Sequence, residues 1–288
     1  MNYYKDFNFK ESDRLIRAAL KEDSGKGDIT SNILIPNDSV SEAELLVKED
    51  GIIAGLKIFS SVFDITDKKT FVKFRLKDGT KVKEGDVIGS VKGNTRKLLQ
   101  SERVALNLLQ RMSGIATYTD YMIRKLDNSD IKLIDTRKTT PNLRIFEKLA
   151  VLIGGGANHR FGLSDMILIK DNHIEANGGI GNTLDILKRK KEQIRVKVEI
   201  EVKNIVEFSE VISKGKKIVD RVMLDNFRIK DVIKAIELNN NLFELEVSGG
   251  INEDNIKEYS DIRGIDYISI GALTHSVNSL DISFNFVT

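Results

Sequence analysis

The chain has 288 residues, 41% apolar and 31% charged, with the apolar ones spread along its length; this composition suits one large α/β domain or two unequal ones, and two are expected. There is no cysteine, which excludes disulfides, thiolate catalysis and thiolate-bound zinc or iron–sulfur centres. With 45 basic residues against 43 acidic the net charge is +2, so no general affinity for nucleic acid is indicated and any anion site must arise from local clustering. No run approaches the ~20 apolar residues of a membrane helix. The opening MNYYKDFNFKESDRL has neither the basic nor the apolar region of a secretory signal, so a cytoplasmic protein is expected.

Up to about residue 112 the pattern mixes short helices with hairpin-like strands. The amphipathic stretch DRLIRAALKED leads into GDIT, and Asp50-Gly51, between the apolar runs of EAELLVKEDGIIAG, predicts a tight hairpin turn. FVKFRLKDGTKVKEGDVIGSVKG predicts antiparallel strands joined by glycine turns. Its glycine spacing is loosely similar to that of biotinyl and lipoyl carrier domains, but the lysine between methionines that such carriers modify is missing. From Thr95 a helical face of Leu98, Leu99, Ala105, Leu108, Leu109 and Met112 runs to a predicted break at Ser113-Gly114, followed by a second helix to about Leu126.

Beyond that point short apolar runs alternate with helix-length segments: KLIDT, MILIK, KVEIEV, RVMLD, FELEVS and YISIG. This is a βα repeat, and it implies a mostly parallel sheet. Each run ends in polar or glycine residues: Thr136-Arg137-Lys138, Lys170-Asp171-Asn172-His173, Glu201, Asp225-Asn226, Ser248-Gly249-Gly250 and Gly271. In α/β barrels the chemistry gathers at the C-terminal strand ends, so these ends predict a barrel mouth. Six strands are visible and a seventh or eighth is not. The closing SFNFVT alternates like one more strand that returns to the first domain. The expected division is residues 1–112, joined by 275–288, and a catalytic domain over 113–274.

Three constellations carry chemistry. Arg137, Lys138, His159, Arg160 and Lys170 are potential cations on neighbouring strand ends, an arrangement that a multiply charged anion completes. The glycines of SGGI and SIGAL follow the last two visible strands, where barrels bind phosphate through main-chain amides. GGGANHR supplies a further cluster, Gly154 to Gly156, which reads more simply as a helix stop. Glu199 and Glu201 share one side of a strand and Asp225 ends the next; such carboxylates suit Mg²⁺ or ribose hydroxyls, Glu201 more than Glu199 because it is nearer the strand end. Glu199 alone also reads as a structural partner for a lysine.

SERVALNLLQRMSGIAT, LIDTRKTTPNLRIFEKLAVLIGGGANHRFGLSDMILIKDNHI, VEIEV, VMLDNF, EVSGGI and YISIGALTHS, with GDIT before them, resemble the successive signature segments of quinolinate phosphoribosyltransferases over nearly the whole chain. The resemblance implies an N-terminal α/β sandwich domain, a C-terminal α/β barrel of seven strands, and a homodimer or a multiple of it. It places Arg137, His159, Arg160 and Lys170 on the two quinolinate carboxylates, with Arg103 reaching the same pocket from the neighbouring subunit. Lys138 faces phosphoribosyl pyrophosphate, Glu201 and Asp225 lie near its ribose and Mg²⁺, and the backbone around Ser248, Gly249, Gly250 and Gly271 holds its 5-phosphate. Where the family commonly has glycine after TTP this chain has Asn142, which also tolerates a left-handed backbone. Rival readings are a paralogous transferase-like protein of molybdenum metabolism, a Schiff-base aldolase using Lys170, and a carrier or ligand-binding protein built on the glycine hairpins. The last leaves the polar strand ends unexplained.

Overall fold

A computed structural model describes residues 3–287. In chain order the elements are α1 (Phe9–Ser24), α2 (Ile29–Leu34), β1 (Val40–Val47), β2 (Gly51–Ile52), α3 (Leu56–Thr66), β3 (Phe71–Phe74), β4 (Lys81–Val82), β5 (Val87–Asn94), α4 (Thr95–Leu126) and β6 (Lys132–Ile134). There follow α5 (Arg144–Ile153), β7 (Ile167–Ile169), α6 (Asp171–Ala176), α7 (Ile180–Arg189), β8 (Val198–Val202), α8 (Ile205–Lys214), β9 (Arg221–Asp225), α9 (Ile229–Asn239), β10 (Glu244–Ser248), β11 (Tyr267–Ser269), α10 (Ala272–His275) and β12 (Ile282–Val287). The chain divides into two compact units: the first runs through Asp120 and includes Thr139–Gly155 and the chain from Leu273 onward, and the second comprises Tyr121–Lys138 and Gly156–Ala272.

In the first unit α1 buries Ser12, Ile16 and Leu20, one residue per turn, and Asn8 caps it by accepting the Glu11 N–H. Asp28 of the GDIT motif does the same for α2, accepting from the Ser31 N–H at 2.9 Å. An antiparallel sheet is ordered β12-β1-β5-β3, so the closing strand returns to this unit as its alternation predicts; Thr288, the last letter of that segment, lies outside the described residues. Ala43, Leu45 and Val47 alternate into the core from β1.

Two expectations fail here for the same reason. No hairpin turn joins β1 to β2: both edges of β1 are taken by β5 and β12, and β2 pairs with β4. Gly51 is there because a Cβ would lie 2.4 Å from Leu280 and 2.8 Å from Thr117 Oγ1. Likewise α4 runs unbroken through Ser113-Gly114. Ser113 Oγ accepts the Ala54 N–H at 3.0 Å, and a Cβ on Gly114 would stand 2.0 Å from the Asn278 carbonyl oxygen. Small residues that read as breaks are sites where other chain segments pass close. The glycine run after α5 does stop its helix, with Gly155 left-handed at φ +93°. Segment 139–155 is fastened within this unit by Glu147, which accepts from Arg111 Nη2 at 2.9 Å and from the Thr140 N–H at 3.0 Å.

The second unit is built on a parallel sheet ordered β6-β11-β10-β9-β8-β7, the six strands that the apolar runs predict. The seventh strand that the resemblance implies is represented by one residue, Ala157, which bridges Ile134 in parallel. Its N–H donates to Leu133 at 2.8 Å and its carbonyl accepts from Asp135 at 3.2 Å. Gly154–Asn158 holds no β-branched run that could extend this into a ladder. All β8 side chains are buried, as expected of a parallel strand covered on both faces.

Glycine in mid-helix normally costs about 1 kcal/mol against alanine, so Gly114→Ala should stabilise if α4 merely tolerates the glycine. The approach of Asn278 predicts the opposite sign, a loss of about 2 kcal/mol or more from overpacking. Urea unfolding of the two proteins checks it.

Candidate active site

Every sequence-predicted site residue of the second unit stands at a C-terminal strand end. Arg137 and Lys138 follow β6, His159 and Arg160 follow the Ala157 bridge, and Lys170 follows β7. Glu201 and Asp225 lie on β8 and β9, Ser248 ends β10, Gly249 and Gly250 follow it, and Gly271 follows β11. Arg137, Lys138 and Lys170 are exposed, Arg160 is half-buried and His159 is buried.

The cations are close enough to act on one another. Burial first, and repulsion from Arg137 second, hold the Arg160 guanidinium below its ordinary pKa, against the pull of Glu199 and Asp165. Arg160 Nη1 donates to the Met166 carbonyl at 3.2 Å, and its buried Nε has no hydrogen-bond acceptor among the described residues. Lys170 Nζ donates to Glu201 Oε2 at 2.8 Å. The Lys138 N–H donates to Thr136 Oγ1 at 3.0 Å. Arg103 lies on α4 in the first unit, exposed, with Nη2 4.0 Å from Glu102.

Glu201 is 8% exposed and keeps Oε1 outside its bond with Lys170. Asp225 Oδ2 accepts from Asn226 Nδ2 at 2.7 Å. Two carboxylates on adjacent strand ends are oxygen donors of the chemical type that Mg²⁺ takes. Beside them Asn226 is left-handed at φ +56° and donates its N–H to the Ser248 carbonyl at 2.8 Å. Gly249 must be glycine, because at φ +92° a Cβ would lie 2.3 Å from Asn226 Oδ1; Gly250, at φ +64°, faces open space. These left-handed residues turn the backbone after β9 and β10. Asn142 also takes the left-handed conformation, at φ +65°, so the asparagine in the TTP loop fills a glycine's conformational role.

Beneath the cations lies a buried network that sequence reasoning missed in part. Asp135 accepts the His159 N–H at 2.9 Å and Asn158 Nδ2 at 2.6 Å. His159 Nε2 lies 3.2 Å from Glu199 Oε2 and 3.6 Å from Glu246 Oε2. Arg221 Nη1 donates to Glu246 Oε2 at 2.9 Å, its other nitrogens reach Glu244 at 3.3 Å, and its guanidinium lies 3.8 Å from the centre of the Tyr267 ring. Glu199 and Glu246 are both 0% exposed. Glu199 is thus a structural partner, but of a histidine rather than of the lysine expected from the sequence. Burial drives its pKa up to about 6, opposed by Arg221 and Arg160. Burial and the facing Glu199 charge push Glu246 up to about 7, opposed by His159 and Arg221. Charged residues at inward positions of otherwise apolar strands, Arg221 in RVMLD and Glu246 in FELEVS, were the available signal.

Residues 28–113 match the family model described as quinolinate phosphoribosyl transferase, N-terminal domain, and residues 115–285 match that of the C-terminal domain. The chain is 43% identical over 289 aligned positions to quinolinate phosphoribosyltransferase (decarboxylating) 2a, mitochondrial, of Nicotiana tabacum, covering 95% of this chain and 82% of that protein. It is 43% identical, with the same coverage, to the chloroplastic nicotinate-nucleotide pyrophosphorylase (carboxylating) of Arabidopsis thaliana. Among solved structures, NadC from Streptococcus pyogenes superposes with a TM-score of 0.91 at 39% identity, covering 99% of this chain and 100% of that one.

A carboxyl group whose pKa stands near 7 in the folded protein and 4.5 ordinarily stabilises the fold fully below pH 4.5, and that contribution is lost as pH rises towards 7. Glu246→Gln removes the titration. Chemical unfolding between pH 4.5 and 7.5 should therefore show the wild type losing up to ~3 kcal/mol relative to the variant. Parallel stability curves would contradict the burial-driven shift.

Proposed function

The chain belongs to the quinolinate phosphoribosyltransferase family, and we propose that it transfers the ribosyl 5-phosphate of phosphoribosyl pyrophosphate to quinolinate, forming nicotinate mononucleotide, CO₂ and pyrophosphate. This is the committed step by which a pyridine dicarboxylate enters NAD biosynthesis. The observation that carries the reading is the pairing of like charges at the mouth, Arg137 against Arg160, in a chain 43% identical to enzymes of that name. A dianionic substrate adds charge complementary to both guanidinium groups.

Arg137, Arg160 and Lys170 grip the two carboxylates and set the ring nitrogen against C1 of the ribose. Lys138 faces the pyrophosphate, and the turns at Ser248, Gly249, Gly250 and Gly271 offer main-chain N–H groups to the 5-phosphate. The nitrogen lone pair forms the new bond to C1 while the bond to pyrophosphate breaks, and the fixed cations offset charge building on the leaving group. The positive pyridinium then accepts the electron pair released when the 2-carboxylate leaves as CO₂, and a proton from solvent fills that carbon. No side chain is needed as a nucleophile. Mg²⁺ belongs to the same proposal: Glu201 and Asp225 would hold it, and it supplies neutralising charge for the pyrophosphate.

A cytoplasmic location and assembly as a homodimer, or a multiple of it, complete the reading. Arg103 of the partner subunit finishes each pocket. If so, mixing Arg103→Ala with Arg137→Ala protein should restore about a quarter of wild-type activity, because half the reassorted dimers carry one intact site; no recovery would place Arg103 outside the neighbour's pocket.

Incubating the protein with quinolinate, phosphoribosyl pyrophosphate and Mg²⁺ should release CO₂ and nicotinate mononucleotide, and nicotinate in place of quinolinate should give no product. Arg137→Ala and Arg160→Ala should each weaken quinolinate by several kcal/mol, read from KM and direct binding. Normal quinolinate affinity in both variants contradicts the assignment.

A further inference from the structure

The resemblance puts His159 on the substrate, yet its ring is turned into the protein. Nδ1 accepts the main-chain N–H of Arg160 at 2.7 Å, which places the ring proton of a neutral imidazole on Nε2. Nε2 faces the Glu199 and Glu246 carboxylates at 3.2 and 3.6 Å, and only 5% of the side chain is exposed. A residue that binds an incoming carboxylate must present an N–H to the mouth, and neither ring nitrogen does.

What the ring does is join two layers. Below it Glu246 is fixed by Arg221 Nη1 at 2.9 Å, with Glu199 beside it on β8. Behind it Asp135 Oδ1 holds the His159 N–H at 2.9 Å. Above it Nδ1 accepts the backbone N–H of Arg160, whose guanidinium is in turn tied to the Met166 carbonyl. The same three side chains bring one possible metal-ligand atom each within 4.8 Å of one another, the one such group among the described residues. Arg221 already supplies a fixed positive charge on Glu246, so the pair needs no cation to neutralise it.

We propose that His159 does not touch the substrate and is a positioning residue: Glu246 and Glu199 hold its ring so that Nδ1 fixes the backbone of Arg160 and aims the guanidinium at the pyridine dicarboxylate. This rests on the reading that the hollow takes quinolinate. Glu246, which sequence reasoning passed over, becomes a specificity determinant for the acid substrate although it lies behind the pocket wall.

The test compares which ring position matters. His159→Asn keeps an acceptor near the Nδ1 position, and His159→Gln keeps a polar group near Nε2. Binding of quinolinate and of phosphoribosyl pyrophosphate is measured separately by calorimetry, with circular dichroism and thermal melting as the check on folding. His159→Asn should stay within about threefold of wild type for quinolinate and His159→Gln should lose at least about thirtyfold, with phosphoribosyl pyrophosphate moved by less than about threefold in both. Glu246→Leu, which keeps volume and removes the polar group facing the ring, should weaken quinolinate about tenfold or more, and Glu246→Gln should recover most of that. If the His159 variants do not fold, the Glu246 pair decides. Retention by His159→Gln with loss by His159→Asn, equal losses for both substrates, or unchanged quinolinate affinity in Glu246→Leu overturns the proposal while leaving the function intact. A wild-type protein that binds no quinolinate overturns the substrate reading itself, and this proposal with it.

Discussion

Arg137 and Arg160 stand at neighbouring strand ends of the second unit, close enough to repel, and the parallel sheet holds them there. Arg160 is held below its ordinary pKa by burial and by Arg137, against the pull of Glu199 and Asp165, so like charges share the mouth even though Lys170 is paired with Glu201. A fold tolerates such a mouth when rigid elements on every side leave the groups nowhere to relax. Here the rigidity comes from the parallel sheet, whose strands fix where each loop begins.

Charge alternates in sign with depth below that mouth. The exposed cations come first; Glu201, paired with Lys170, and the fully buried Glu199 and Glu246 come next, with His159 between cations and carboxylates; Arg221 closes the stack against Tyr267. Burial raises the pKa of both carboxyl groups, and the facing Glu199 charge adds to the rise at Glu246. A protein built only for stability could replace such a network with apolar side chains at little cost. The network's place beside the strand-end cations suits a role in orienting them rather than in stability.

Much of this was legible in the sequence, and the reason is periodicity. The six apolar runs became the six strands, and their polar ends became the mouth, because a parallel strand buried on both faces leaves only its end free for polar residues. Asn142 is left-handed, as its place in a glycine position requires. The misses share a cause. Gly51, Ser113 and Gly114 look like turn and break residues locally, but each is small because a distant segment packs against it. The network of Asp135, Arg221 and Glu246 was equally hidden, since a charged letter within an apolar run says nothing of which partners the fold brings to it. The seventh strand of the resemblance is not among the strands of the described residues, where Ala157 forms only an isolated bridge to Ile134.

On the proposed function, the strand-end cations are complementary to two adjacent carboxylates rather than to negative charge in general. Calorimetric titration of the wild-type protein with pyridine-2,3-dicarboxylate and with pyridine-3-carboxylate, at matched ionic strength, measures this directly. The account predicts that the diacid binds at least ~100-fold more tightly, the second carboxylate adding a bidentate charge-assisted pair. Equal affinity for the two acids would contradict it.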